Sequence, residues 1–179
     1  MKLILTLLLA AAPAMADPML IDDFSEGAET RWSYISDRVM GGVSDGSASL
    51  GSENGMTYVQ LRGTVSTANN GGFIQVRHDL ASRLPADATG IALRARGNEA
   101  TYYVHMRPDV SSRPWQYYQA AFETTADWQD IVLPWSAFKP QGGLDARFAP
   151  TDILSIGIVA YGADYEAVLD VDWIGSKSD

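Results

Sequence analysis

From residue 56 to residue 174 the chain is built of short runs in which apolar and polar positions alternate. Ile91-Ala92-Leu93-Arg94-Ala95-Arg96 has the period of two expected of a strand with one buried face. Between residues 73 and 80, Ile74, Val76 and Leu80 fall on one side, and Gln75, Arg77 and Asp79 on the other. Residues 56–61, 131–133, 155–160 and 168–174 predict further strands. Asn54-Gly55, Asn69-Asn70-Gly71-Gly72, Gly97-Asn98 and Gln141-Gly142-Gly143 mark turns between them, because Asn and Gly accept the backbone angles that tight turns need. No run holds a helical period for long. The pattern predicts an all-β protein, an antiparallel jelly-roll sandwich of about 8–10 strands.

One pair of strands carries unusual side chains. If residues 101–107 and 115–122 pair as a hairpin with Arg107 opposite Trp115, then His105 faces Tyr117 and Tyr103 faces Gln119. Alternation puts these six on one face, with Tyr102, Val104, Met106, Tyr118, Ala120 and Phe122 on the core side. Aromatic rings beside Arg, Gln and His suit a sugar or another polar ligand, since rings stack while the polar groups give directional hydrogen bonds. Arg77, Arg94 and Arg96 lie on polar faces of other strands and extend the candidate site if they converge with it. The alternative is a solvated face on which Arg107 stacks over Trp115 and the other arginines meet carboxylates.

The first residues change the picture of where this sandwich works. Lys2, the apolar run from Leu3 to Ala12 broken only by Thr6, and Ala14-Met15-Ala16 have the order of a secretory signal peptide. The run is shorter than the ~20 apolar residues of a membrane span. Residues 1–16 are therefore expected to be a cleaved signal peptide and residues 17–179 a single domain, periplasmic or secreted. There is no cysteine, which excludes disulfides and thiolate metal sites. A formal charge of −9 disfavours nucleic acid.

Catalytic patterns are thin. Gly42-Val43-Ser44-Asp45-Gly46 matches the serine-hydrolase pattern, but Ser47-Ala48-Ser49-Leu50-Gly51 after it is not a helix, and only His78 and His105 could be a base. Asp22, Asp23, Glu123, Asp164 and Glu166 give no pairing that marks a glycosidase. Two histidines argue against zinc or iron. A structural calcium is conceivable where Asp22 or Asp23 meets Asp170 or Asp172, should the terminal strands be neighbours. No other cofactor is expected, and no enzymatic activity.

Ser36-Asp37-Arg38-Val39-Met40-Gly41-Gly42-Val43-Ser44 closely resembles the complex I intermediate-associated protein 30 family. The likeness continues through Asn70-Gly71-Gly72-Phe73, Arg77, Arg96-Gly97, Tyr102, residues 116–122, Trp128, Leu133-Pro134-Trp135, Phe138 and Asp172-Trp173-Ile174. It implies a galactose-binding-like jelly roll, a fold shared with carbohydrate-binding modules, and no catalytic residues. It also implies a chaperone-like role in assembling NADH:ubiquinone oxidoreductase, with respiratory-complex subunits or other membrane proteins as partners. The mitochondrial member works on the matrix side, whereas a signal peptide sends this chain to the other side of the inner membrane. The alternative is a carbohydrate-binding module using the aromatic-polar face. Asp37, Met40, Gly41, Gly42, Ser44, Gly71, Gly72 and Phe73 are read as mainly structural, with Met40 filling a gap in the core.

Overall fold

The computed structural model describes residues 19–178; the signal-peptide expectation for residues 1–16 lies outside them. Twelve strand segments occur among these residues: β1 (Met19–Asp22), β2 (Trp32–Ser36), β3 (Asp45–Glu53), β4 (Met56–Val65), β5 (Phe73–Asp79), β6 (Gly90–Gly97), β7 (Thr101–Pro108), β8 (Tyr118–Glu123), β9 (Gln129–Pro134), β10 (Lys139–Pro140), β11 (Ile153–Tyr161) and β12 (Tyr165–Lys177). The excess over the expected 8–10 includes segments as short as the two residues of β10. Helix among the described residues is limited to the single turn Ala28–Arg31 and four 3-10 turns.

The strands form two antiparallel sheets. The first has the order β3-β4-β12-β6-β9, and the second β10-β8-β7-β11-β5-β2. The thirteen-residue β12 is the spine of the first sheet. One of its edges is covered by β6, and the other by β4 over half its length and by β1 over the rest. Sequence neighbours such as β4 and β5, or β11 and β12, therefore sit in different sheets.

The inward faces share one core, in which Leu61, Ile91, Leu93 and Leu169 meet Ile74, Tyr102, Met106, Tyr118, Ile156 and Ile158. Each such side chain stabilises the fold by about 1.5–3 kcal/mol relative to exposure. The Tyr102 hydroxyl stays satisfied inside, donating to Asn98 Oδ1 at 2.7 Å and accepting from the Val168 N–H at 2.9 Å. Turn chemistry was legible: Asn54 and Gly55 both take positive φ (52° and 80°) in the two-residue β3–β4 hairpin.

Candidate ligand-binding face

The outward face of the second sheet is where the aromatic-polar residues meet. At its centre β11 offers the small side chains Ser155, Gly157 and Val159. They lie opposite Arg107, His105 and Tyr103 of β7 on one flank, and Asp79, Arg77 and Gln75 of β5 on the other. Large residues flanking small ones make walls over a floor. Although Val159 faces outward it has 0% exposure, and Ser155 has 5%. Over Gly157 the Gln75 amide is so close that a Cβ would meet its oxygen at 2.8 Å.

The rings on this face form one interlocked platform. His105 stacks flat on Tyr117 with centroids 4.0 Å apart and planes at 14°. Tyr161 meets both Tyr103 and His105 edge-on, at 5.7 and 5.6 Å. Burial holds the His105 imidazole at a pKa of about 3, against a weaker opposing pull from Gln119, so it is uncharged at neutral pH. Its Nε2 is buried without a hydrogen-bond partner. Burial also pushes the Tyr117 phenol up, and Tyr161 adds to that shift. Beyond Tyr103 and Tyr161 the platform opens into a cavity of about 320 Å3, lined also by Ala100, Thr101, Gly162, Ala163 and Tyr165.

The hairpin register differs from the expected one by two residues: His105 pairs with Gln119, and Tyr103 with Ala121. A slip of two leaves every side chain on its expected face, so Tyr103, His105, Arg107 and Gln119 do share one. Trp115 does not join them. It is 53% exposed in the β7–β8 loop with the Arg113 guanidinium, not Arg107, 5.4 Å from its ring centroid. The loop is knitted by Gln116, whose Oε1 accepts from the Ser112 and Arg113 N–H groups, and that delays β8 until Tyr118. Tyr161, which sequence reasoning missed, continues the outward period 155, 157, 159 by one more step.

Arg77 belongs to the face, diagonal to Arg107 across β11. Arg94 and Arg96 do not: they lie on β6, on the outward face of the other sheet. There Asp170 pairs with Arg62 and, at 2.9 Å, with Arg96; Arg96 also meets Glu53 at 3.0 Å, and Arg94 meets Asp172 at 3.1 Å. Arg96 lies 4.6 Å from the Trp128 ring centroid and 5.3 Å from that of Tyr58. The four arginines do not converge but fall on two faces of opposite character, because the strand pattern fixes a face but not a sheet. The first is a neutralised charge ladder. On the second, Arg77 and Arg107 have no ion pair among the described residues.

The terminal strands are neighbours, but their carboxylates do not converge on a calcium site. Asp22 is taken by Arg31, bidentately at 2.8 Å, and by Trp32 Nε1, and Asp170 and Asp172 by arginines. Among the described residues no three His, Asp or Glu side chains group as metal ligands.

The glycine-rich motif builds a buried clamp. Asp37 is fully buried, and its carboxylate accepts from the N–H of Ser44 (3.0 Å), Gly72 (2.6 Å) and Phe73 (3.2 Å) and from the Ser44 hydroxyl (2.5 Å). Burial raises its pKa, but these bonds outweigh burial and hold the carboxyl below its usual range. A Cβ on Gly42 or Gly71 would meet Asp37 atoms at 2.3 or 2.4 Å, so both glycines leave room for the carboxylate. Gly41 serves differently, ending the 3-10 turn at φ 92°. Ser44, buried and committed to Asp37, is followed by a strand and has no nucleophile geometry. Met40 is 61% exposed, not a core filler, and stands in the clamped loop with the exposed Val39 and Val43. Phe73, anchored through its N–H, lies opposite Tyr161 on the platform side of β5.

This architecture is a galactose-binding-like jelly-roll sandwich with an aromatic outer face. The chain belongs to the complex I intermediate-associated protein 30 family, whose sequence profile matches residues 23–169. No curated protein matches the sequence. Among solved structures it is similar to the family 11 carbohydrate-binding module of the cellulosomal cellulase Lic26A-Cel5E of Clostridium thermocellum (TM-score 0.74, 16% identity, 93% of this chain and 97% of that one). It is also similar to a family 11 module from Clostridium thermocellum in complex with a β-1,3-1,4-mixed-linked tetrasaccharide (TM-score 0.72, 15% identity, 89% and 95% covered). An exo-β-agarase is similar over 26% of its own chain and 91% of this one (TM-score 0.60, 7% identity). At these identities the likeness establishes the fold.

Proposed function

We propose that this protein is a non-catalytic binding domain that holds a saccharide chain along the outward face of β7, β11 and β5. The observation that carries this reading is the preassembled ring platform of Tyr103, His105, Tyr117 and Tyr161, edged by Gln75, Gln119 and the two arginines. Rings already locked by one another lose little freedom on binding, so stacking on a sugar costs little entropy. The carbohydrate-binding modules that share the fold make a sugar a natural first class to test. The test is thermal stability of the protein against an oligosaccharide panel that includes the mixed-linked tetrasaccharide. A true ligand at 100 times its Kd adds about 2.7 kcal/mol to stability. Tyr103→Ala with Tyr117→Ala should abolish the gain while the variant still folds. A gain that survives in this double variant would move the site elsewhere; no gain with any saccharide would end the reading.

A second reading is protein binding in membrane-complex assembly, supported by the family and by the exposed Val39, Met40 and Val43 on the Asp37-clamped loop. Apolar side chains on a rigid loop are a feature of docking sites. Pull-down from detergent-solubilised membranes should then recover respiratory-complex subunits, and Val39→Ser with Met40→Ser should lose them. The N-terminal segment supports a periplasmic or secreted location for a single domain; finding the untagged protein in the cytoplasmic fraction would refute that.

A further inference from the structure

Six arginines among the described residues have a carboxylate partner: Arg31, Arg38, Arg62, Arg83, Arg94 and Arg96. Carboxylates are plentiful, with 22 Asp and Glu against 13 Lys and Arg. Arg77 and Arg107 nevertheless have no ion pair, and they stand together on the one face that carries the platform. Arg113 and Arg147 also lack an ion pair, but they are exposed in loops where water serves them. Arg77 and Arg107 are half-buried, and Arg107 Nε is fully buried with no acceptor; among the described residues the guanidinium's one hydrogen bond goes from Nη2 to the Arg113 carbonyl at 3.3 Å. A buried donor without a partner is rare in folded proteins and commonly marks a missing water, ion or ligand. Burial and the neighbouring Arg77 both disfavour the Arg107 charge, with only Asp79 in its favour.

We propose that the ligand of this face is an acidic saccharide whose carboxylate seats between Arg77 and Arg107, beside Ser155, while its rings lie along the tyrosine–histidine platform. This rests on the saccharide reading above. Guanidinium forks match a carboxylate in shape, and a bidentate pair fixes orientation as well as adding strength. Only the small residues Ser155 and Gly157 stand on β11 between the two arginines, with the Gln75 amide over Gly157. Asp79, at the exposed rim opposite Ser155, and the net charge of −9 both work against a densely charged polyanion. The chemistry therefore selects one carboxylate on an otherwise neutral chain. The site has direction: the arginines lie at the β7 end marked by Arg107, and the neutral cavity at the end marked by Thr101 and Tyr103. A bound chain should keep one polarity.

The experiment is calorimetric titration of the full chain with tetrasaccharides bearing one glucuronate, galacturonate or mannuronate. Each is matched by its carboxyl-reduced form, and polyglutamate is the control for charge alone. At low salt at least one uronate form should bind about tenfold or more tighter than its reduced partner, the range of a hydrogen bond to a charged group. Arg77→Gln and Arg107→Gln should each erase most of that preference. Equal binding of acid and reduced forms, unaffected by either substitution, would overturn the charge inference and leave the platform standing. Failure of the whole panel would overturn both. Polyglutamate binding as tightly as the best uronate would overturn the saccharide class and make the arginine pair a site for acidic peptide.

Discussion

Asp37 and His105 are buried titratable side chains that resolve burial in opposite ways. A carboxylate removed from water loses several kcal/mol of solvation, and Asp37 recovers it by keeping its charge among four donors. Three of these are backbone N–H groups from two separate stretches of chain, at Ser44 and at Gly72–Phe73. Asp37→Ala should therefore destabilise the fold by on the order of 3 kcal/mol, because it orphans donors rather than merely removing bonds. Ser44→Ala, which removes one donor to Asp37 and the acceptor of the Ser66 N–H, should cost less, about 1–2 kcal/mol. Urea denaturation of the two variants checks the order; equal losses would contradict the clamp. His105 instead gives up its charge. Its pKa is near 6.5 in the unfolded chain and about 3 in the fold, so between those values only the unfolded chain holds the proton. Stability is full above pH 6.5 and declines as pH falls toward 3, by at most a few kcal/mol. Asp22 and Asp37, whose pKa values are lowered, contribute their own losses only from the ordinary carboxylate range downward. His105→Phe, which keeps a ring on Tyr117, should flatten the melting temperature between pH 7 and pH 4.5. Parallel profiles for variant and parent would rule out His105 as the source.

At the scale of elements, legibility followed hydrophobic contrast. β5 and β6 were readable because the large apolar residues Ile74, Val76, Ile91 and Leu93 recur at every second position, and their outward residues were assigned to the right side. β3 was not readable. Its sequence Asp-Gly-Ser-Ala-Ser-Leu-Gly-Ser-Glu has almost no apolar period, since it is an edge strand that pairs with β4 alone among the described strands and whose side chains remain largely at the surface. The β7–β8 hairpin was half readable. Faces follow from parity, but register depends on how many residues the loop consumes, and Gln116 sets that through bonds no local pattern reveals. Arg94 and Arg96 illustrate a further limit. Period two says that they point outward; only the pairing of β6 with β12 and β9 says from which sheet. The buried Asp37 was marked by the family motif and the glycines around it, and what those glycines make room for became visible with the fold.

For the molecule as a whole, the two outward faces divide the work. One sheet neutralises its arginines internally, while the other leaves two unmet beside its rings, so the candidate site stands out against a quiet opposite side. Rigidity should follow the same plan. Amides of β12 and β11, which are paired along both edges, should exchange hydrogen most slowly, and those of β3 and β10 fastest. Hydrogen-exchange mass spectrometry reads this directly, and fast exchange in β12 would contradict its place as the spine. That place also sets an order in time. β12 follows every other described strand along the chain, yet β1, β4 and β6 all bond to it. As the chain emerges from the ribosome, the first sheet has its flanks before its centre, and their apolar faces wait without a partner. Folding is then a late, collective event, and until it happens the nascent chain needs a chaperone's shelter more than a domain of paired neighbours would.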